Sequence, residues 1–104
     1  MKIALEEHFI TPALLDYCVK AMPAVSPDGK KKIISHLSSF DDLRLETMDK
    51  AGIDFAILGI SGPGVQAESD PKLAIRLAKE ANDILAREVS KKSNRYGGDR
   101  KSVV

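Results

Sequence analysis

Apolar residues fall along this chain in two rhythms, short runs that suit strands and longer stripes at helical spacing. Ile3, Ala4 and Leu5 open a brief run that turns acidic at Glu6 and Glu7. This predicts a short buried strand over residues 2–9 whose C-terminal end opens into a polar site. Residues 53–60, Ile-Asp-Phe-Ala-Ile-Leu-Gly-Ile, are apolar on both alternating faces except at Asp54, the pattern of a parallel strand covered on both sides.

Helical signals separate and follow these runs. Thr11-Pro12 supplies an N-cap and a proline at the first helical position, with Leu14, Leu15, Cys18, Val19 and Met22 spaced for a helix over residues 12–21. Pro23, Pro27, Asp28 and Gly29 break it. Residues 23–39 therefore read as a loop-like insertion with a short helical piece at 31–37. Asp41 or Asp42 is placed to cap a second helix carrying Leu43, Leu45 and Met48, and Gly52 sits where a left-handed terminating residue is needed. Asp70-Pro71 opens a long helix whose stripe runs through Leu73, Ala74, Leu77, Ala78, Ala81, Ile84, Leu85 and Val89, with Lys91 and Lys92 favourable at its carbonyl end.

Strands alternating with helices predict an α/β fold with parallel strands, because each parallel connection needs a crossover. Two strands cannot bury both faces of a sheet by themselves. A (β/α)8 TIM barrel takes about 250 residues, so 104 residues hold the N-terminal portion of one, an incomplete barrel.

Composition narrows the function classes. Sixteen Lys and Arg against fifteen Asp and Glu give a net charge of +1, too weak a field to favour nucleic acid or an anionic membrane. A small-molecule partner is expected instead. Cys18 is the single cysteine, so no internal disulfide forms and a cytoplasmic setting is favoured. The N-terminus meets two glutamates before any long apolar run and reads as neither signal peptide nor membrane span. The basic run Lys30-Lys31-Lys32 reads as a solvated loop or helix end.

Glu6 and His8 are two apart on a predicted strand, which puts both on one face and Glu7 on the other. A carboxylate and an imidazole are competent ligands for zinc or manganese; a surface ion pair or a hydrogen-bonded strand end is the alternative reading. Ser61, Gly62, Pro63 and Gly64 follow the second strand, where a barrel places its substrate pocket. A turn that needs special dihedral angles would use the same residues. Phe9 and Tyr17 could face an aromatic acid or simply pack. His36 reads as a loop or surface residue, Cys18 as a small core residue, and Asn82-Asp83 as a helix anchor without a catalytic role.

Four segments in order carry a resemblance: Ala4-Leu5-Glu6-Glu7-His8-Phe9, Leu43-Arg44-Leu45-Glu46-Thr47-Met48-Asp49-Lys50-Ala51-Gly52-Ile53-Asp54, Pro63-Gly64-Val65-Gln66 and Ala81-Asn82-Asp83-Ile84-Leu85-Ala86. Together they resemble the opening of the amidohydrolase-superfamily group that contains the γ-resorcylate and 2,3-dihydroxybenzoate decarboxylases. The resemblance implies a barrel enzyme, a metal-dependent carboxy-lyase, that removes carbon dioxide non-oxidatively from a hydroxylated aromatic carboxylate. It implies Glu6 and His8 as ligands of a divalent metal ion, zinc or manganese, with a further histidine and an aspartate from later strands, and a homo-oligomeric parent. No residue here is a candidate for the acid that protonates the ring, and the 104 residues alone are expected to be inactive.

Two other readings stay open, an amidohydrolase-type hydrolase using a metal-bound water and a small non-enzymatic α/β interaction protein. The resemblance lapses after Gly98. Asp99-Arg100-Lys101-Ser102-Val103-Val104 reverse-translates without conflict into a common sequencing adapter, GATCGGAAGAGCGTCGTG. Residues 1–98 are thus read as the barrel segment and 99–104 as a non-native tail that stands where a third strand should arrive.

Overall fold

The apolar run after Asp54 forms the central strand of a parallel sheet in the computed structural model, which describes residues 1–61 and 64–98. Strand β1 (Ile3–Phe9) pairs with β2 (Phe55–Ile60), and β2 pairs with β3 (Tyr96–Gly98), all parallel and in the order β1-β2-β3. Helices α1 (Leu15–Lys20), α2 (Pro27–Ser38) and α3 (Asp42–Lys50) connect the first two strands, and α4 (Pro71–Lys91) connects the second and third. The expected parallel α/β order is present. The expected missing third strand is corrected, because Tyr96–Gly98 already pairs with residues 56–58. The tail at 99–104 lies outside the described residues.

One face of the sheet carries the core. Ala56, Leu58 and Ile60 are buried against the α4 stripe of Leu77, Ala78, Ala81 and Leu85. Full burial of each large apolar side chain contributes roughly 1.5–3 kcal/mol. Asp70 caps α4 by accepting a hydrogen bond from the Lys72 amide at 3.0 Å, with Pro71 at the first turn, as expected. The opposite face, with Phe55 and Ile57 half-buried, is covered by no helix of the described residues. A strand buried on both sides was expected; β2 is buried on one. β1 is likewise more open than expected, with Ile3 51% and Leu5 72% exposed.

Helix α2 departs most from the expected loop. Ser26 accepts from the Gly29 amide at 3.1 Å and Pro27 sits at the first helical position, so Pro27 starts a helix instead of breaking one. No residue of α2 is fully buried, which is why an apolar stripe did not announce it. Its C-terminal end is held from outside. Arg44, 8% exposed, donates from Nε to the Ser39 carbonyl (2.6 Å) and from Nη2 to the carbonyls of His8 (2.7 Å), His36 (3.2 Å) and Leu37 (3.3 Å).

Helix α3 ends as its sequence predicts. Gly52 has φ 73°, its amide donates to Asp49 O and the Ile53 amide to Met48 O, the paired bonds of a Schellman termination. Its start differs in one respect. Asp41 is the N-cap by position but its side chain makes no capping bond; it pairs with Lys92 at 2.8 Å, and Ser39 Oγ accepts from the Arg44 amide instead. Thr11 also fails to cap, its buried hydroxyl having no hydrogen-bond partner among the described residues.

The Arg44 contacts generate a stability prediction. Arg44→Met keeps an apolar stem but strands carbonyls of β1 and of the α2 end, and should lower unfolding free energy by roughly 2–4 kcal/mol in urea denaturation. Arg44→Lys should recover little of it, since an ammonium cannot span this fork of acceptors. A loss within error for Arg44→Met would contradict the account.

Candidate functional site

Three carbonyl-terminal strand ends, the region where a parallel α/β sheet assembles its site, lie close to the residues singled out by sequence. The Ser61 amide donates to the Phe9 carbonyl at 2.8 Å, so the segments leaving β1 and β2 are joined. Ser61 itself is half-buried. Gly62 and Pro63, named with it as substrate-binding candidates, lie outside the described residues.

The predicted ligand pair sits on β1 in a less regular setting than strict alternation assumes. Ala4 is opposite Ala56 but Glu7 is opposite Leu58, leaving one extra residue on β1 between them. This is a β-bulge. Glu6 lies within it at φ 61°, in the left-handed region, and is exposed. Beyond the bulge, paired residues share a face, so Glu7 lies on the helix side with Leu58, whereas His8, opposite Gly59, emerges on the uncovered side. The expected separation of His8 from Glu7 holds. The period-of-two argument that linked Glu6 to His8 does not, since a bulge intervenes.

Gly97 shows how closely the open face is packed at its centre. A Cβ there would stand 3.0 Å from Ile57 Cδ1 and 3.1 Å from Phe55 Cε1, so these side chains would have to give by a few tenths of an ångström to admit it. The rest of that face offers Ile3 and His8, both exposed, with the exposed bulge residues Leu5 and Glu6 between them. A carboxylate oxygen and an imidazole nitrogen displayed there fit the donor set of a divalent cation. Among the described residues no group of three or more His, Cys, Asp or Glu side chains gathers into a metal site.

On the helix side, Glu7, His8, His36, Arg44, Thr47 and Met48 line a half-open cavity of about 290 Å3, with the His8 carbonyl held by Arg44 at 2.7 Å. His36 is therefore corrected from a loop or surface residue to a half-buried residue of α2. Desolvation lowers the Arg44 pKa, opposed by electrostatic interaction with Tyr96 and Glu7. Arg44 was the residue whose role sequence reasoning missed. The available signal was its spacing, four before Met48, which places it on the buried face of α3.

The aromatic candidates resolve into packing. Phe9 is fully buried, 5.4 Å from Phe40, and the Tyr96 hydroxyl donates to the Phe40 carbonyl at 2.7 Å. Cys18 is buried, and desolvation raises its thiol pKa, as suits a core residue. Tyr17 packs on the core and donates its hydroxyl to Glu68, joining α1 to the segment that precedes α4. Glu68 Oε1 also accepts from the Asp70 amide at 3.0 Å. That pairing raises the Tyr17 pKa and lowers the Glu68 pKa, the hydrogen bond being the leading cause in each.

These geometries have counterparts among known proteins. No protein-family model matches the chain. The γ-resorcylate decarboxylase of Rhizobium radiobacter is 40% identical over 95 residues, covering 91% of this chain and 28% of the relative. Among solved structures, 5-carboxyvanillate decarboxylase from Novosphingobium aromaticivorans, with bound manganese and 3-methoxy-4-hydroxy-5-nitrobenzoic acid, superposes with a TM-score of 0.85 at 32% identity. That match covers 94% of this chain and 33% of the other. A dihydroxybenzoic acid decarboxylase from Polaromonas sp. JS666, with bound manganese and the inhibitor 2-nitroresorcinol, gives 0.84 at 38% identity, covering 93% and 28%.

The resemblance read from the four motifs is therefore borne out across nearly the whole chain. The sheet and helices match an N-terminal part of the barrel in those decarboxylases. The chain spans less than a third of the length of the curated relatives it matches. No helix among the described residues is long and apolar enough to cross a membrane.

The Tyr17–Glu68 link generates a pH prediction. The lowered Glu68 pKa means its contribution is present above the ordinary carboxylate pKa and lost as pH falls through the lowered value. The raised Tyr17 pKa means its contribution is full below the ordinary phenol pKa and lost as pH rises through the raised one. Tyr17→Phe should thus reduce the urea midpoint at neutral pH, with the difference from the parent shrinking at both extremes. A difference that stays constant from acid to alkali would contradict the link.

Proposed function

We propose that residues 1–98 form the N-terminal portion of a (β/α)8 barrel in a metal-dependent, non-oxidative decarboxylase of hydroxylated aromatic carboxylic acids. The observation that carries the proposal is 40% identity to a γ-resorcylate decarboxylase over 91% of this chain. Decarboxylases that resemble it structurally contain bound manganese and an aromatic ligand. These relatives favour a carboxy-lyase over an amidohydrolase-type hydrolase or a non-enzymatic interaction module. A cytoplasmic, homo-oligomeric parent completes the proposal and accords with the lone buried thiol of Cys18.

In this reading Glu6 and His8 hold the metal, and Ser61, Gly62 and Pro63, following β2, border the aromatic carboxylate. When bound, a divalent ion such as manganese or zinc neutralises and orients the substrate's carboxylate and neighbouring hydroxyl. Two ligands do not close a site that ordinarily needs three or more protein donors, so the remaining ones come from strands other than these three. The chain's own contribution is placement. Arg44 fixes the His8 carbonyl at 2.7 Å and so sets the height at which the imidazole leaves β1, while the Ser61–Phe9 bond aligns the end of β2 with it.

The test uses the polypeptide that carries these residues together with the remaining barrel strands. Glu6→Ala and His8→Ala should each lower manganese content, read by elemental analysis, and carbon dioxide release from a panel of hydroxybenzoates, by at least about tenfold. Glu7→Gln should affect metal content less, its side chain lying on the helix side. Full metal content and turnover in both alanine variants would sink the assignment of the pair.

A further inference from the structure

The extra residue in β1 decides which side chains reach which face. Ile3 is opposite Phe55 and Ala4 opposite Ala56. Continued without interruption, that register would set Glu6 against Leu58 and His8 against Ile60, turning both toward α4, and would leave Phe9 on the uncovered face. The ladder instead resumes with Glu7 opposite Leu58, His8 opposite Gly59 and Phe9 opposite Ile60. Phe9 thereby enters the core at 0% exposure, and His8 is exposed.

The backbone feature that accompanies this exchange is Glu6 at φ 61°, the only non-glycine residue at positive φ among those described. A side chain with a Cβ is sterically disfavoured there, and glycine would adopt the conformation freely. Bulges between parallel strands are themselves rare. Strain of this kind persists where the surrounding structure enforces it and something is gained locally.

We propose that Glu6 is a positioning residue through its main chain: its left-handed conformation forms the bulge that transfers His8 from the helix side of the sheet to the open face. Glutamate is kept in place of the less strained glycine because the carboxylate is needed beside His8. The second statement rests on the metal-site reading above; the register statement does not.

Glu6→Gly and Glu6→Ala in the full 104-residue chain separate backbone from carboxylate, since both lose the acid and only glycine relieves the strain. Urea unfolding should place the glycine variant above the alanine variant, with an unfolding constant roughly two- to fivefold smaller. Ala4→Gly, at a regular position of the same strand, should show the ordinary opposite sign and destabilise. Diethyl pyrocarbonate should modify His8 as readily in Glu6→Gly as in the parent. Equal or reversed midpoints for the two Glu6 variants, a protected His8 in the parent, or absence of any cooperative transition would each overturn the proposal.

Broadening of the His8 ring resonances by manganese reports the ligand reading separately. Loss of broadening in both variants supports the carboxylate as a ligand. Retention in both removes the Glu6 carboxylate as a needed ligand and with it the reason for keeping glutamate, and leaves the register statement to be decided by the unfolding order.

Discussion

A guanidinium taken out of water must find acceptors, and Arg44 finds them on main-chain carbonyls of two other elements. His36, Leu37 and Ser39 offer the end of α2, and His8 offers the outer edge of β1. A helix C-terminus leaves its last carbonyls unpaired, so the same contacts satisfy the charge and finish the helix. Phe40 lies against this centre, with the Arg44 guanidinium carbon 6.0 Å from its ring centroid. Phe9 and Tyr96 pack on Phe40 in turn. One buried charge therefore links β1, the long connection after it and, through Tyr96, the start of β3. Together with the Ile10 amide, which donates to the Leu37 carbonyl at 3.1 Å, it ties α2 to the sheet, for none of the residues of α2 is fully buried.

The sheet divides labour between its faces. Toward α4 it presents Phe9, Ala56, Leu58 and Ile60, and these with the α4 stripe make the hydrophobic core. Away from the helices it presents exposed Ile3 and His8, with the exposed bulge residues Leu5 and Glu6 between them. A sheet that buries one face for stability can vary the residues of the other without disturbing the first. The bulge in β1 lets one strand serve both ends, with phenylalanine at the core and histidine one residue away on the open side.

Much of this was legible in the residues. The stripe from Leu73 to Val89, the Asp70-Pro71 start and the Gly52 termination each rest on local chemistry that works inside a few turns of chain, and each is found where the pattern placed it. What escaped depends on distant partners. α2 is supported by Ser26 locally but by Arg44 from another helix, and Asp41 is drawn from capping by Lys92, fifty-one residues on. The bulge is equally hidden, because β1 alternates acceptably in either register and only pairing with β2 reveals the extra residue. The candidate pair Glu6 and His8 was visible through its motif, yet the reason His8 reaches the open face was not.

The most direct measurement is anomalous scattering at the manganese edge from crystals of the polypeptide that carries these residues with the remaining barrel strands. The account predicts a single strong peak in contact with a Glu6 carboxylate oxygen and a His8 ring nitrogen, on the face of β1 opposite Leu58. A peak that touches neither side chain, or density that places the His8 ring among the α4 residues, would contradict it.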